Sequence, residues 1–348
     1  MKSFLLPTFL AVALAVTTQT QAQISFKGGE GPGKGKKVVL LAGDEEYRSE
    51  EVMPMLAKIL SKTHGFETTV VFSVNPQTGE IDPNEHKNLP GMEALDDADL
   101  CIMLLRFRAP KDEQMKHFVD YVNAGKPIIA LRTSTHAFNY PALKVDGKDV
   151  PNPSPYAKFG WTGKEWKGGF GKQILGETWV SHWGVHKKEA TKGVLEDSAK
   201  ADPILRGVTD VFGDSDVYEA YPPANAKILM RGQVLKGMTA DSDAADYKKP
   251  RANDKVEQSV NDPMMPIVWT LDYKNEAGKT NKILTSTIGA GSDLKNEDLR
   301  RLIVNGTYVL TGLEAPEKAD AKIVGEFAGT FYGNNIFIKG KKPEDYAK

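Results

Sequence analysis

The stretch that decides the fold is Lys37-Val38-Val39-Leu40-Leu41-Ala42-Gly43-Asp44-Glu45-Glu46-Tyr47-Arg48. Its first half, Lys37 to Ala42, is a short apolar run without polar alternation, the pattern of a strand covered on both faces. Its second half turns abruptly acidic, as a strand-end loop carrying chemistry would. Three runs of the same kind follow: Phe66 to Ser73, Asp99 to Leu105 and Lys126 to Leu131. Helical spacing separates them. Met55, Leu56, Ile59 and Leu60 predict a helix from Pro54 to Thr63, and Met115, Phe118, Val119 and Val122 predict one opened by Pro110 and closed by Gly125. Strand and helix in alternation predict an α/β domain with a mostly parallel sheet and helices on both faces.

Downstream, Asn139 to Gly171 dissolves into Pro, Gly and aromatic residues (Tyr140, Tyr156, Phe159, Trp161, Trp166, Phe170), which reads as an aromatic loop insertion, either a lid or a loop packed on the surface. Strand-like runs return at Lys227 to Met230, Ile267 to Tyr273 and Lys282 to Ile288, the last two joined by a hairpin turn over 274–279. A closing helix carries Leu299, Leu302, Ile303, Leu310 and Leu313, with Asn296 or Asp298 as its cap. Asp241 to Val260 reads as a polar insertion. No repeat is visible, and a single elaborated domain is predicted over 37–315, followed by a C-terminal extension, 316–348.

The composition bounds the function classes. Of 348 residues, 40% are hydrophobic and 26% charged, so a packed core is expected. Net charge is -1 with both signs interspersed, and no basic stripe exists to displace counterions, which excludes nucleic acid as a partner. Lys27 to Lys37 reads as a solvated tether, making 23–36 a flexible leader. Ahead of it, Lys2, the apolar run Phe4 to Val16 and Thr20-Gln21-Ala22 form a signal peptide, residues 1–22, cleaved after Ala22. The run is too short to span a bilayer, and no other segment is long and apolar enough, so a periplasmic or secreted bacterial protein without a membrane span is expected. The single cysteine, Cys101, lies in an apolar run and reads as a buried, inert thiol.

Ligands of open parallel sheets bind at the carboxyl ends of the strands. Here those ends deliver Asp44, Glu45 and Glu46; then Arg106 and Arg108; then Arg132, Thr133, Ser134 and His136. Arg106 and Arg108 could instead pair with Asp44 or Glu45 as an ion network that needs no ligand, and the hydroxyls could cap the next helix. Further on, Trp179, His182, Trp183 and His186 alternate. Histidines four apart share a side on a helix or a strand, which permits a metal, but packing is the commoner use and no metal is assigned. The Gly-rich stretch Gly28 to Gly35 precedes the first strand, so it is no dinucleotide turn, and neither a Walker motif nor a G-x-S-x-G elbow is present.

Val39 to Glu51, Leu105-Arg106-Phe107-Arg108 with Asp112 to Met115, Gly125-Lys126-Pro127 leading to Leu131 to Phe138, and the later Leu175-Gly176, Trp179, His182-Trp183-Gly184 and Arg300-Arg301-Leu302 together resemble the ThuA-like (trehalose utilisation) family. The resemblance covers roughly Lys37 to Leu313. It implies a flavodoxin-like fold similar to class I glutamine amidotransferases, and a place in carbohydrate metabolism. Those enzymes carry a nucleophilic Cys after the strand that here ends in Leu131-Arg132-Thr133-Ser134, so glutaminase activity is not expected.

The leading expectation is an exported protein that acts on or binds a carbohydrate or oxidised sugar, as a hydrolase or lyase if it is an enzyme. Glu45 or Glu46 would be the general base, and His136 an acid or base, with His182 as a further catalytic candidate. Arg106, Arg108 and Arg132 would clamp oxygens, and Asp44, Thr133, Ser134, Trp179 and Trp183 would contact substrate. The alternatives are a non-catalytic sugar-binding or assembly module, and a metal-dependent hydrolase on His182 and His186, which needs a carboxylate and a third ligand. Neither a cofactor nor an oligomeric state follows from the sequence.

Overall fold

The computed structural model describes residues 22–347. The predicted signal peptide, residues 1–22, thus lies outside the described residues, apart from Ala22. Ten strands form one sheet: β1 (Gln23–Phe26), β2 (Lys37–Gly43), β3 (Glu67–Phe72), β4 (Leu100–Leu105), β5 (Ile128–Leu131) and, from the second half, β9 (Thr191–Leu195), β10 (Phe212–Gly213), β12 (Lys227–Val234), β15 (Met265–Lys274) and β16 (Thr280–Ser286). Two-stranded pieces complete the set: β6 (Leu143–Val145) with β7 (Lys148–Val150), β8 (Ser181–His182) with β11 (Tyr218–Glu219), and β13 (Lys248–Pro250) with β14 (Glu257–Ser259). The helices are α1 (Ser49–Lys58), α2 (Asp112–Asn123) and α3 (Glu297–Leu310).

The sheet order is β1-β3-β2-β4-β5-β16-β15-β12-β9-β10. Its middle, β3-β2-β4-β5-β16, is parallel, as the apolar runs predict. Antiparallel strands extend it on both sides. The order reverses beside β2, because the chain moves to β3 on one side and to β4 on the other, and this opens the crevice in which such sheets bind ligands.

Side-chain alternation splits the core into two layers. Val38, Leu40 and Ala42 pack with α1 and α3, whereas Val39 and Leu41 pack with α2 and the aromatic segment through Phe159 and Phe170. Cys101 belongs to the second layer, fully buried, and burial raises its thiol pKa. The segment 139–171 thus packs aromatic side chains onto one face of the sheet, while its tip, β6–β7, is exposed throughout, with Leu143, Val145 and Val150 facing solvent.

Two readings differ from expectation. Helix α1 starts at Ser49, upstream of Pro54, which sits within the helix and removes one bond without ending it. Residues 23–36 are not a free tether: β1 pairs with β3, and Gly29 and Gly33 donate backbone hydrogen bonds to Ser61 and His64 carbonyls at 3.2 and 2.9 Å. Gly31 approaches so closely that a Cβ would lie 2.6 Å from the His64 oxygen. The extension after 316 is also tied down. Thr330 hydrogen-bonds Glu51, Gly333 donates to the Glu46 carbonyl, and Tyr346 stacks on Phe72. The cap of α3 is Asn296, whose side chain accepts from the Leu299 N–H at 2.8 Å. Among the described residues no helix is long and apolar enough to cross a membrane.

Candidate functional site

The loop after β2 is stapled by Asp44. Its buried carboxylate accepts from the N–H groups of Glu46 (2.7 Å) and Tyr47 (2.5 Å) and from the Thr133 hydroxyl. Burial and the adjacent Glu45 charge raise its pKa to about 6. Glu45 is held between two guanidinium groups, Arg106 Nη1 at 2.5 Å and Arg108 Nη2 at 2.7 Å. Arg108 has no exposed surface, and its other N–H groups donate to the Ser73 hydroxyl and to the carbonyls of Pro83, Glu85 and Arg106. Arg108 is therefore a strut between strand ends rather than the clamp expected of it. Arg106, 21% exposed, is the guanidinium that faces outward.

Each of the three loops contains a non-glycine residue in the left-handed region: Arg48 (φ 64°), Phe107 (φ 55°) and Arg132 (φ 42°). Such conformations persist only where surrounding contacts over-determine them, and they cluster at functional sites.

After β5 the hydroxyls turn inward. Ser134 Oγ donates to the Met103 carbonyl (2.9 Å) and accepts from the Leu105 N–H (3.2 Å), lacing β5 to β4. Neither Ser134 nor Thr133 is exposed, so both act on the frame, which corrects their expected contact with substrate. Arg132 is buried between aromatic faces, 3.7 Å from the Tyr218 ring centroid and 4.7 Å from that of Tyr47. Its Nη2 pairs with Asp216 Oδ1 at 2.9 Å. It too reaches a partner in the protein. His136 is 3% exposed; burial first, then the Arg106 and Arg132 charges, push its pKa well below 6.5, so it stays neutral.

The facing wall comes from the antiparallel side. Asp216, buried, precedes β11, which pairs with β8 and so brings Tyr218 opposite His182. His182 Nδ1 donates to Asp216 Oδ2 at 2.7 Å, and His186 Nδ1 donates to Oδ1 at 3.0 Å. His186 Nε2 in turn lies 3.2 Å from Glu46 Oε1. Its bonds to Asp216 and Glu46 raise the His186 pKa to about 9. Burial alone would raise the pKa values of both carboxylates, but Arg132 and the two histidines hold Asp216 low, and His186 and Arg106 hold Glu46 low. Tyr332 of the C-terminal extension backs this wall, stacked on Tyr47 at 4.9 Å and 5.5 Å from the His186 ring. Trp183, the neighbour of His182 in a two-residue strand region, points the opposite way: it is fully buried and donates to the Val260 carbonyl, so it packs the core rather than contacting substrate.

These contacts close into a circuit. Arg106 lies over Phe107 (4.6 Å), Phe107 packs on His136 (5.1 Å), His136 on Trp179 (5.8 Å), and Trp179 on His182 (5.7 Å). His182 and His186 share Asp216, and Glu46 returns from His186 to Arg106 Nη2 (3.5 Å). Trp161 joins the aromatic half, 6.0 Å from Trp179. One arc is aromatic and the other ionic, with Arg106, His182 and His186 partly exposed.

The structure therefore unites Asp44, Glu45, Glu46, Arg106, Arg132, His136, Trp179 and His182, and turns Arg108, Thr133, Ser134 and Trp183 to the frame or the core. Sequence reading missed Asp216, Tyr218 and Tyr332. The Asp214-Ser215-Asp216-Val217-Tyr218 stretch was the only available signal, and a strand of two residues leaves no period to read.

No family model and no curated protein matches the sequence. Among solved structures, a protein from Parabacteroides merdae described as ThuA-like is similar at 15% identity, covering 87% of this chain and 98% of that one with a TM-score of 0.42. A second protein described as ThuA-like, from Bacteroides uniformis, is similar at 10% identity, covering 82% of this chain and 95% of that one with a TM-score of 0.44.

Proposed function

We propose that this protein acts on a carbohydrate or oxidised sugar bound at the circuit of residues around the ends of β2, β4 and β5. The single observation that carries the reading is the circuit's division into two arcs. A pyranose has apolar C–H faces that pack on aromatic rings and hydroxyl or carbonyl oxygens that need charged donors. Phe107, Trp179 and Trp161 offer the first, and Arg106, with the histidines, the second. The motif resemblance of the rim residues to ThuA-like proteins supports the same substrate class, and we read the parallel core as flavodoxin-like.

His182 is the group placed for proton transfer. Its Nδ1–H is spent on Asp216, which fixes the tautomer and leaves Nε2 as the acceptor, while Asp216 stabilises the imidazolium formed. Arg106 is placed to hold a sugar oxygen on which charge develops. A proton removed beside a carbonyl, or from a water, leads to elimination or hydrolysis. Glu45, engaged by two arginines, positions Arg106 in preference to acting as the base.

The locked Ser134 hydroxyl leaves that turn without a free nucleophile, which favours a second reading as a sugar-binding module. We further assign Met1 to Ala22 as an export leader, which sequencing the N-terminus of the exported chain would test. For the site, thermal unfolding of the mature chain against sugars, keto-sugars and sugar acids is the test. A ligand at about one hundred times its dissociation constant should add roughly 2.7 kcal/mol. Trp179→Ala and His182→Asn should both remove that shift if ring stacking and the dyad serve binding. Turnover lost in His182→Asn with binding kept would assign the residue to chemistry. No shift with any sugar would overturn the reading.

A further inference from the structure

His182 and His186 share a carboxylate but differ at the other end of the ring. Each directs Nδ1 to Asp216, at 2.7 and 3.0 Å, yet only His186 has a second carboxylate on its remaining nitrogen, Glu46 Oε1 at 3.2 Å from Nε2. Against the upward push of burial, Arg132 and the two histidines keep Asp216 ionised, and the His186 bond and Arg106 keep Glu46 ionised. An ionised carboxylate accepts hydrogen bonds and donates none, and a neutral imidazole carries a single N–H. A neutral His186 would therefore set a ring lone pair against one of the two oxygens. With both nitrogens protonated both contacts are attractive, so the donor count makes this ring an imidazolium. Its bonds to Asp216 first, then to Glu46, raise its pKa to about 9, in agreement with that count.

The two rings cannot both hold a charge without cost. Their centroids lie 4.6 Å apart, so a proton on one opposes a second proton on the other. The ring with two carboxylates takes the charge, and the ring with one is left with a bare Nε2. The other groups around His186 keep this ranking. Tyr47 and Tyr332 stand at 6.5 and 5.5 Å, both neutral because burial raises their pKa values, and Lys187 lies 5.7 Å over the Tyr332 ring. Arg132 and Arg106 are engaged by the two carboxylates, at 2.9 and 3.5 Å. One donor atom from each of His182, His186 and Asp216 lies within 4.8 Å of the others, as a metal-dependent hydrolase would need, but the buried Arg132 guanidinium on Asp216 repels a cation placed on that carboxylate.

We propose that His186 is a positioning residue that works as a standing imidazolium: bridged between Asp216 and Glu46, it keeps the neighbouring His182 uncharged, with Nε2 free to accept a proton from the substrate. The step it serves is a proton transfer alone. The O–H or C–H bond of the water or sugar breaks, the proton goes to His182 Nε2, the electron pair stays behind, and His186 neither gains nor loses a proton. The inference deepens the reading of the same site and rests on His182 being its base, but the state of both rings is measured without any sugar.

The test is a pH titration of the ring nitrogens by NMR on the ¹⁵N-labelled mature chain, whose six histidines are assigned by single substitutions. Near neutral pH both His186 nitrogens should show the imidazolium signature, and His182 should show a protonated Nδ1 and a bare Nε2. His186 should lose its proton only near pH 9. Glu46→Gln should bring that midpoint down by about one pH unit or more, since one of the two carboxylates is gone. His186→Gln should raise the pH at which His182 takes up its proton by about one unit or more, because Asp216 then serves one ring and the neighbouring charge is absent. The buried His64 reports the fold in each variant, and the parent's own spectrum decides the matter where a variant disturbs it. A single protonated nitrogen on His186 near neutral pH, or an unmoved His182 midpoint in a folded His186→Gln, overturns the proposal. With a turned-over sugar, His186→Gln should move the acid limb of the kcat profile upward by the same amount with KM little changed, and an unmoved limb overturns it equally. A sugar-dependent thermal shift beside a neutral His186 would sink this inference alone, whereas a charged His186 with no sugar shift would leave the ring pair standing without the sugar reading.

Discussion

Around the ends of β2 and β4 each charged side chain has several partners, whereas the wall facing them hangs on one carboxylate. Glu45 accepts from Arg106 and Arg108, and Arg108 keeps four further acceptors when that pair is lost. Opposite, Asp216 is the carboxylate shared by His182, His186 and the Nη2 of Arg132, with only longer contacts, His186 to Glu46 at 3.2 Å and Arg132 to the Tyr47 hydroxyl at 3.3 Å, beside it. The comparison separates a braced frame from a hinge-pin. Redundant bonds spread the cost of a substitution, and a single buried anion concentrates it.

The largest effect therefore belongs to the wall with one pin. Asp216→Ala leaves Arg132 fully buried without its counter-charge, and about 3–5 kcal/mol of stability should be lost in urea unfolding. A loss below about 1 kcal/mol would break the comparison, because it would mean that the Asp216 and Thr287 carbonyls, which also accept from Arg132, suffice. On the braced side, Glu45→Gln removes one charged hydrogen bond while the other acceptors of Arg108 remain, and the cost should be about 1.5–3 kcal/mol.

A pH series sharpens the same contrast. His86 lies behind the Arg108 frame, and burial first, then the Arg108 charge, lowers its pKa to about 4. A base whose folded pKa is depressed is neutral in the native state and protonated in the unfolded chain between the two values. Its contribution is thus intact above about 6.5 and is lost as pH falls towards 4. Allowing for its partial exposure, His86→Gln should flatten the stability profile over that window by about 1–2 kcal/mol. A profile equally steep in the variant would assign the loss to other groups, His64 among them, whose pKa burial also lowers. The smallest effect on stability should come from Trp179→Ala, at a half-buried position, about 1 kcal/mol or less. It should nonetheless abolish the sugar-dependent rise in melting temperature, and a normal rise in that variant would remove the aromatic arc from the proposed site.

Much of the frame was legible in advance. Strands β2, β4 and β5 have both faces covered, so their apolar runs stand out without any knowledge of their neighbours. The residues following them must emerge at the carboxyl edge, and for this reason Asp44 to Glu46, Arg106 and His136 were locatable. Direction was harder. His182 and Trp183 are adjacent and both suit a sugar site by type, yet strand alternation sends one to the site and the other into the core, and which goes where depends on the layer packed behind. Arg106 and Arg108 divide similarly, because the turn at Phe107 buries the second guanidinium under Glu45.

What the residues determined alone was the parallel core and which residues stand on its rim, since those follow from burial patterns within single strands. Tertiary structure alone decided the opposite wall. Asp216 meets His182 across 34 positions of chain, and Tyr332 reaches Tyr47 from the far C-terminal extension. These are pairings between short, aperiodic segments, and no local periodicity records a contact whose partner is supplied by the fold.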